Sequence, residues 1–202
     1  MTSETSLLHL IKTRRSLRRY RPEPVPRALL ERLLEAAIWS PSAHNRQPWR
    51  FVIVETAQAK EALARAMGAR LRRDLAADGV AQEVIDADAN RSYERLTGAP
   101  VLIVLCLSMV DMDAYPDEWR SANEFLMAVQ SVAMAGQNIL LAAHEAGLGA
   151  CWMCAPLFCP DVVREALALP ADWQAQGLIT LGYPDQVRDK TRHSQETRTL
   201  WR

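Results

Sequence analysis

The chain is 202 residues long and 49% hydrophobic, enough to bury one substantial core and close to the length at which a single domain is the default. Its 24 Lys and Arg residues balance 24 Asp and Glu residues, so no net field exists to hold nucleic acid or an anionic membrane, and neither is expected as a partner. Residues 1–20 carry Glu4, His9, Lys12 and four arginines where a signal peptide would be apolar, and four cysteines, three of them between 151 and 159, make no disulfide framework; a reducing cytoplasm is the expected setting.

Leu7, Leu8, Leu10 and Ile11 predict a short helix ending near Lys12 or Thr13, followed by a basic loop holding Arg14, Arg15, Arg18, Arg19 and Arg21. Pro26 suits the first turn of a second helix, in which Leu29, Leu30, Leu33, Leu34 and Ala37 repeat at helical spacing, and which should stop before Pro41. Arg50 to Val54 reads as a buried strand. Ala57 to Ala77 and Gln82 to Leu96 read as two charged amphipathic helices broken at Asp78-Gly79, a peripheral excursion from the fold. Val101 to Leu105 is a second core strand; the longest apolar run, Val101 to Leu107, is far too short to span a bilayer.

The stretch from Asn123 to Glu145 predicts a long helix apolar around most of its circumference, buried partly against a partner subunit. Gly147 caps it, Leu148 to Met153 forms a strand, Pro160 to Leu167 a short helix, and Gly177 to Leu181 the last strand. The polar, basic tail ends in Leu200-Trp201, which a free tail has no reason to carry, so it is expected to dock. Helices and strands without strict alternation argue for an α+β class in one domain spanning 1–202.

Two segments could carry chemistry. Arg14 to Arg21 joins guanidinium groups to a hydroxyl, which suits a phosphate, although basic loops are often merely solvated. Ser40 to Arg50 combines Ser, Asn and Gln side chains with rigid prolines, which suits the edge of a planar heterocycle, although such residues also favour plain turns. His144, Cys151, Cys154 and Cys159 could be zinc ligands, but a Cys-x-x-Cys on a strand points its thiols to opposite faces, so inert thiols and no metal are expected, and a thiol redox pair is disfavoured for want of a helix start. His44 could donate a proton into a pocket, though loop histidines more commonly bond at the surface.

Taken together, Arg14-Arg15-Ser16-Leu17-Arg18 and Ser40-Pro-Ser-Ala-His-Asn-Arg-Gln-Pro-Trp49 resemble the nitroreductase family of FMN-dependent enzymes in wording and spacing, and the resemblance continues through Gly147 to Met153 and Lys190-Thr-Arg192. Within the family the chain looks most similar to the flavin domain of the ligase-reductases that mature a deazaflavin coenzyme. The resemblance implies a central, mostly antiparallel sheet flanked by helices, with a long dimer-interface helix and a docking tail. It implies that Arg14, Arg15, Ser16 and Arg18 hold the FMN phosphate, with Lys190 and Arg192 closing over it. Pro41, Ser42, Asn45 and Gln47 would reach the flavin from the other subunit of a homodimer, and Cys154 and Ala155 would run backbone along the ring. Pro156 and Leu157 depart from the acidic residue and glycine common at that point. The implied activity is ping-pong hydride transfer from NADH or NADPH, through FMN, to a small oxidised molecule such as a nitroaromatic or quinone, with no catalytic side chain required. The alternatives are a non-catalytic flavin binder and a flavin-consuming or dehalogenating relative. Substrate choice would fall to a lid between Arg70 and Ser92.

Overall fold

The computed structural model describes residues 6–202, so Glu4 of the charged N-terminal stretch lies outside it. Six helices, α1 (Leu7–Thr13), α2 (Arg27–Ile38), α3 (Ala57–Ala77), α4 (Gln82–Thr97), α5 (Glu118–Glu145) and α6 (Pro160–Ala166), accompany four strands, β1 (Trp49–Val54), β2 (Val101–Leu107), β3 (Gly149–Met153) and β4 (Gln174–Gly182). The strands form one sheet in the order β1-β2-β4-β3, and every neighbouring pair is antiparallel.

Both faces of the sheet are covered, which explains why β2 is apolar throughout rather than alternating. Val101, Ile103, Leu105 and Leu107 face a core shared with α2 and α5, whereas Leu102, Val104 and Cys106 face a second core built with α3 and α6. The predicted peripheral excursion is therefore a structural layer: α3 buries Leu63, Ala64 and Met67, and α4 buries Ile85, Ala89 and Leu96. Charged residues outnumber that narrow apolar stripe, so the stripe is easily read as solvent-facing.

Helix α5 starts five residues before its predicted beginning, because the Asp117 side chain accepts from the Arg120 N–H and caps it. By length and composition α5 could cross a membrane. Here it is a core helix, with Ala128, Val132, Ala135, Ile139 and Ala143 against the sheet and α2, and buried Glu124 accepting from the Asp113 N–H. Its other face leaves Trp119, Leu126 and Met134 exposed. Gly147, at φ 75°, ends the helix as expected.

Candidate functional site

After α1 the chain turns along the sheet edge at the start of β3, where Ser16 bridges Ala150 and the Leu17 N–H donates to the Ala150 carbonyl at 3.1 Å. The C-terminal segment returns beside it: the Arg21 N–H donates to Tyr183 O at 2.9 Å and the Asp185 N–H to Arg19 O at 3.0 Å. The Gln186 amide oxygen, oriented to satisfy its surroundings, accepts from the Arg18 and Arg19 N–H groups. This backbone pairing brings two predicted segments, 176 residues apart in sequence at Arg14 and Lys190, to one place (190 − 14). Arg15 Nη2 reaches Asp189 Oδ1 at 3.0 Å, and Arg192 lies near enough to Arg14 to repel it.

Electrostatically this corner is unfinished. Arg14 is held below the ordinary guanidinium range by burial and by the positive charges of Arg192 and Arg15, and Asp189 sits on the far side of Arg15 with its side chain 93% exposed. Arg14 Nη1 and Arg15 Nε are buried with no hydrogen-bond partner. A buried cationic donor without an acceptor is costly, and an anion with several oxygens would satisfy both.

Next to this corner, a cavity of about 620 Å³ is lined by Arg18, Arg19, Arg91, Arg95 and Arg188, with Glu94 and Asp185 as its acidic groups. Burial lowers the Arg95 pKa, as do Arg18, Arg91 and Arg188 facing it. Arg91, Arg95 and Arg188 escaped the sequence reading. The first two sit on a helix rich in charged residues, and no local pattern distinguishes an arginine facing a cavity from one facing water.

At the other end of β3, the Trp152 indole packs against Gly136 and Gly177 with different edges, and its Nε1 donates to Cys154 Sγ at 3.2 Å. That contact fixes the start of a short 3-10 turn, Ala155–Phe158, in which Pro156 is buried and Leu157 and Phe158 are exposed. A smaller apolar cavity of about 100 Å³ separates this turn from α3 and α4, with Met67, Arg70, Leu71, Ser92, Ala155 and Phe158 around it. The expected lid between Arg70 and Ser92 is thus the junction of two packed helices, and Arg70 is held by Asp74 and Asp161.

All four cysteines are free. Cys106, Cys151 and Cys159 are buried, and burial raises all three thiol pKa values, that of Cys106 to about 12. Among the described residues no three His, Cys, Asp or Glu side chains gather as a metal site. Native protein should therefore titrate with a thiol reagent in one fast step, at exposed Cys154, with the other three reacting only on unfolding. Slow labelling of Cys154, or fast labelling of a buried thiol, would contradict this reading.

The Ser42 to Gln47 loop lies elsewhere. It precedes β1, whose first residue Trp49 pairs with Leu107 at the far end of β2, whereas Ser16 bridges Ala150 near the start of β3, level with Leu181. Three strand spacings separate the edges, about 14 Å, and the stretch of β4 from Gln174 to Leu181 adds about 24 Å along the sheet. Within one chain the two segments cannot line a common small-molecule site. The loop itself is built, not slack: Ser42 Oγ accepts from the Gln47 N–H at 3.1 Å, Ser131 Oγ on α5 accepts from the Ala43 N–H at 3.4 Å, and Arg46 pairs with Asp113. His44, Asn45 and Gln47 all have positive φ, at 48°, 54° and 52°. For His and Gln that left-handed backbone is strained, and such strain persists where surrounding contacts over-determine it. The side chains of His44, Asn45 and Gln47 are exposed.

The Nitroreductase family pattern matches residues 11–183. The chain is 32% identical to the NADH dehydrogenase of Thermus thermophilus, covering 94% of this chain and 92% of that one. It is also 32% identical to the 5,6-dimethylbenzimidazole synthase of Rhodospirillum rubrum, covering 87% and 80%. A crystallised nitroreductase-type protein from Desulfovibrio desulfuricans, in complex with FMN, superimposes with a TM-score of 0.75 at 28% identity, covering 99% of this chain and 98% of that one. With the matched region running from α1 through β4 and the arginine corner at its edge, this chain belongs to the Nitroreductase family.

Proposed function

We propose that the chain is an FMN-dependent oxidoreductase that accepts hydride from NADH or NADPH and delivers it to a small oxidised organic molecule. The observation that carries this reading is the pair of buried, unsatisfied donors, Arg14 Nη1 and Arg15 Nε, beside Arg192. A phosphate monoester supplies about two negative charges and three acceptor oxygens, which is the complement this corner lacks. Arg14, Arg15, Ser16, Arg18, Lys190 and Arg192 would hold the phosphate end of the flavin, and the backbone of Cys154 and Ala155 would run beside its ring. FMN, when bound, supplies the hydride chemistry. The protein's own part is to orient the flavin, to compensate its charge and to keep water from the ring, so no side chain is assigned as nucleophile or general base.

The working unit in this reading is a cytoplasmic homodimer. Trp119, Leu126 and Met134 are exposed along α5, and Leu7, Leu8, Ile38 and Trp39 are exposed on α1 and at the end of α2, the two helices packed against it. An apolar surface of that extent on a charged protein fits an interface. Pairing two chains would bring the Pro41, Ser42, Asn45 and Gln47 loop of one to the arginine corner of the other. The tail, with Leu200 and Trp201 at 82% and 90% exposure, does not dock on its own chain and would find its surface on the second.

The test is flavin binding. Arg18→Ala and Arg192→Ala should each weaken FMN binding by about 1.5 to 3 kcal/mol, the range for a hydrogen bond to a charged group, while riboflavin binding stays nearly unchanged. Undiminished FMN affinity in both variants would remove the phosphate assignment. A second reading is that of a relative in which the flavin is consumed rather than recycled. Its distinguishing result is disappearance of flavin absorbance during aerobic turnover.

A further inference from the structure

His144 occupies the last turn of α5, where it meets the arginine corner from behind. Its Nε2 lies 2.9 Å from Thr13 Oγ1, one residue before Arg14. The Thr13 hydroxyl hydrogen is directed to the His9 carbonyl at 2.8 Å, so the His144 Nε2–H is the donor to Thr13 and its Nδ1 is the nitrogen left to protonate. This contact survives protonation. The charged and titratable groups facing the ring from the neighbouring elements are Arg14 and Arg15 in the basic loop and His9 on α1; Glu145 follows it on its own helix. The carbonyls of a helix C-terminus favour a histidinium. Against them, burial is the largest influence and Arg14, Arg15 and His9 add to it, and together they hold His144 below the ordinary histidine range.

We propose that His144 takes up a proton from solvent when a phosphate monoester docks on Arg14 and Arg15, making this residue a proton-linked positioning group of the flavin phosphate site. The inference rests on the placement of the FMN phosphate given above. Two negative charges arriving on the far side of Arg14 and Arg15 offset much of the positive potential at the ring, so the His144 pKa rises on binding. Between the free-state and bound-state pKa values, binding therefore consumes a proton. Affinity gains up to a factor of ten per pH unit as pH falls through that window. Opposing this is the second ionisation of the phosphate itself, near pH 6, which strengthens binding as pH rises and is common to every variant.

The experiment is equilibrium dialysis of the full chain against FMN and, separately, riboflavin at pH 6 and pH 8, for wild type, His144→Gln and His9→Gln. The ratio of the FMN Kd at pH 8 to that at pH 6 should be about three- to tenfold larger in wild type than in His144→Gln, with His9→Gln following wild type. Equal ratios in wild type and His144→Gln, or a loss of the ratio in His9→Gln instead, overturn the proposal. Equal wild-type affinity for FMN and riboflavin would overturn the phosphate placement itself, which separates the two failures. Should His144→Gln not fold, calorimetry of wild type in buffers of different ionisation enthalpy gives the same decision. Proton uptake with FMN must exceed what the phosphate's own ionisation accounts for, and no excess sinks the idea.

Discussion

Mixing Arg18→Ala protein with Asn45→Ala protein at an FMN concentration low enough to leave each variant largely empty, and letting the subunits exchange, should restore about a quarter of wild-type activity, the share of intact sites in a random assortment of two-fold dimers. The argument is geometric. Arg18 and the Ser42 to Gln47 loop sit at opposite corners of one sheet, with β2 and β4 between their edge strands. If both touch the flavin, they come from different chains. Half of the dimers formed by random exchange are mixed, and each mixed dimer has one site with both residues intact and one with neither. If exchange is demonstrated with tagged subunits and the mixture stays as inactive as its parents, the shared site is refuted. Loss of flavin on dilution should then also track loss of the dimer, because an obligate interface of more than about 2,000 Å² leaves no folded monomer to hold it.

Much of this arrangement was legible in the residues. β1 and β2 are short, β-branched and apolar, and α2 repeats leucines at helical spacing, so their positions follow from periodicity alone. β4 is longer than its apolar run because it begins with Gln174, Ala175 and Gln176, and a buried glutamine breaks the pattern by which strands are recognised. The basic loop and the 190–192 tail were each visible as segments. That they meet is a consequence of Tyr183 and Asp185 pairing with Arg21 and Arg19, which no local pattern encodes. The separation of the 42–47 loop from Arg18 is likewise a property of strand order. Arg95 and His144 illustrate the remainder: each is one polar residue on a helix, and only the neighbours supplied by other elements give it a role.

Gly177→Val is expected to destabilise the protein by about 3 kcal/mol or more, at the upper end of overpacking in a filled core, and to lower Tm by on the order of 10 °C. Valine is favoured in strands and glycine is not, so backbone propensity alone predicts a gain of up to about 1 kcal/mol, with the opposite sign. The steric effect wins because a Cβ on Gly177 would lie 2.6 Å from Trp152 Cζ2 and 2.8 Å from Cε2. The indole is hemmed in on its Cζ3–Cε3 edge as well, where it packs against Gly136 of α5 at the border of the core. Displacing it also breaks the Nε1 contact to Cys154 Sγ and so disturbs the turn proposed to run beside the flavin. Stability and flavin retention should fall together in Gly177→Val. In a Trp152→Leu background the space is open, and the same substitution should cost little or stabilise. The double-mutant cycle isolates the clash from everything else that valine changes. An equal loss in both backgrounds would mean that the indole is not what the glycine accommodates.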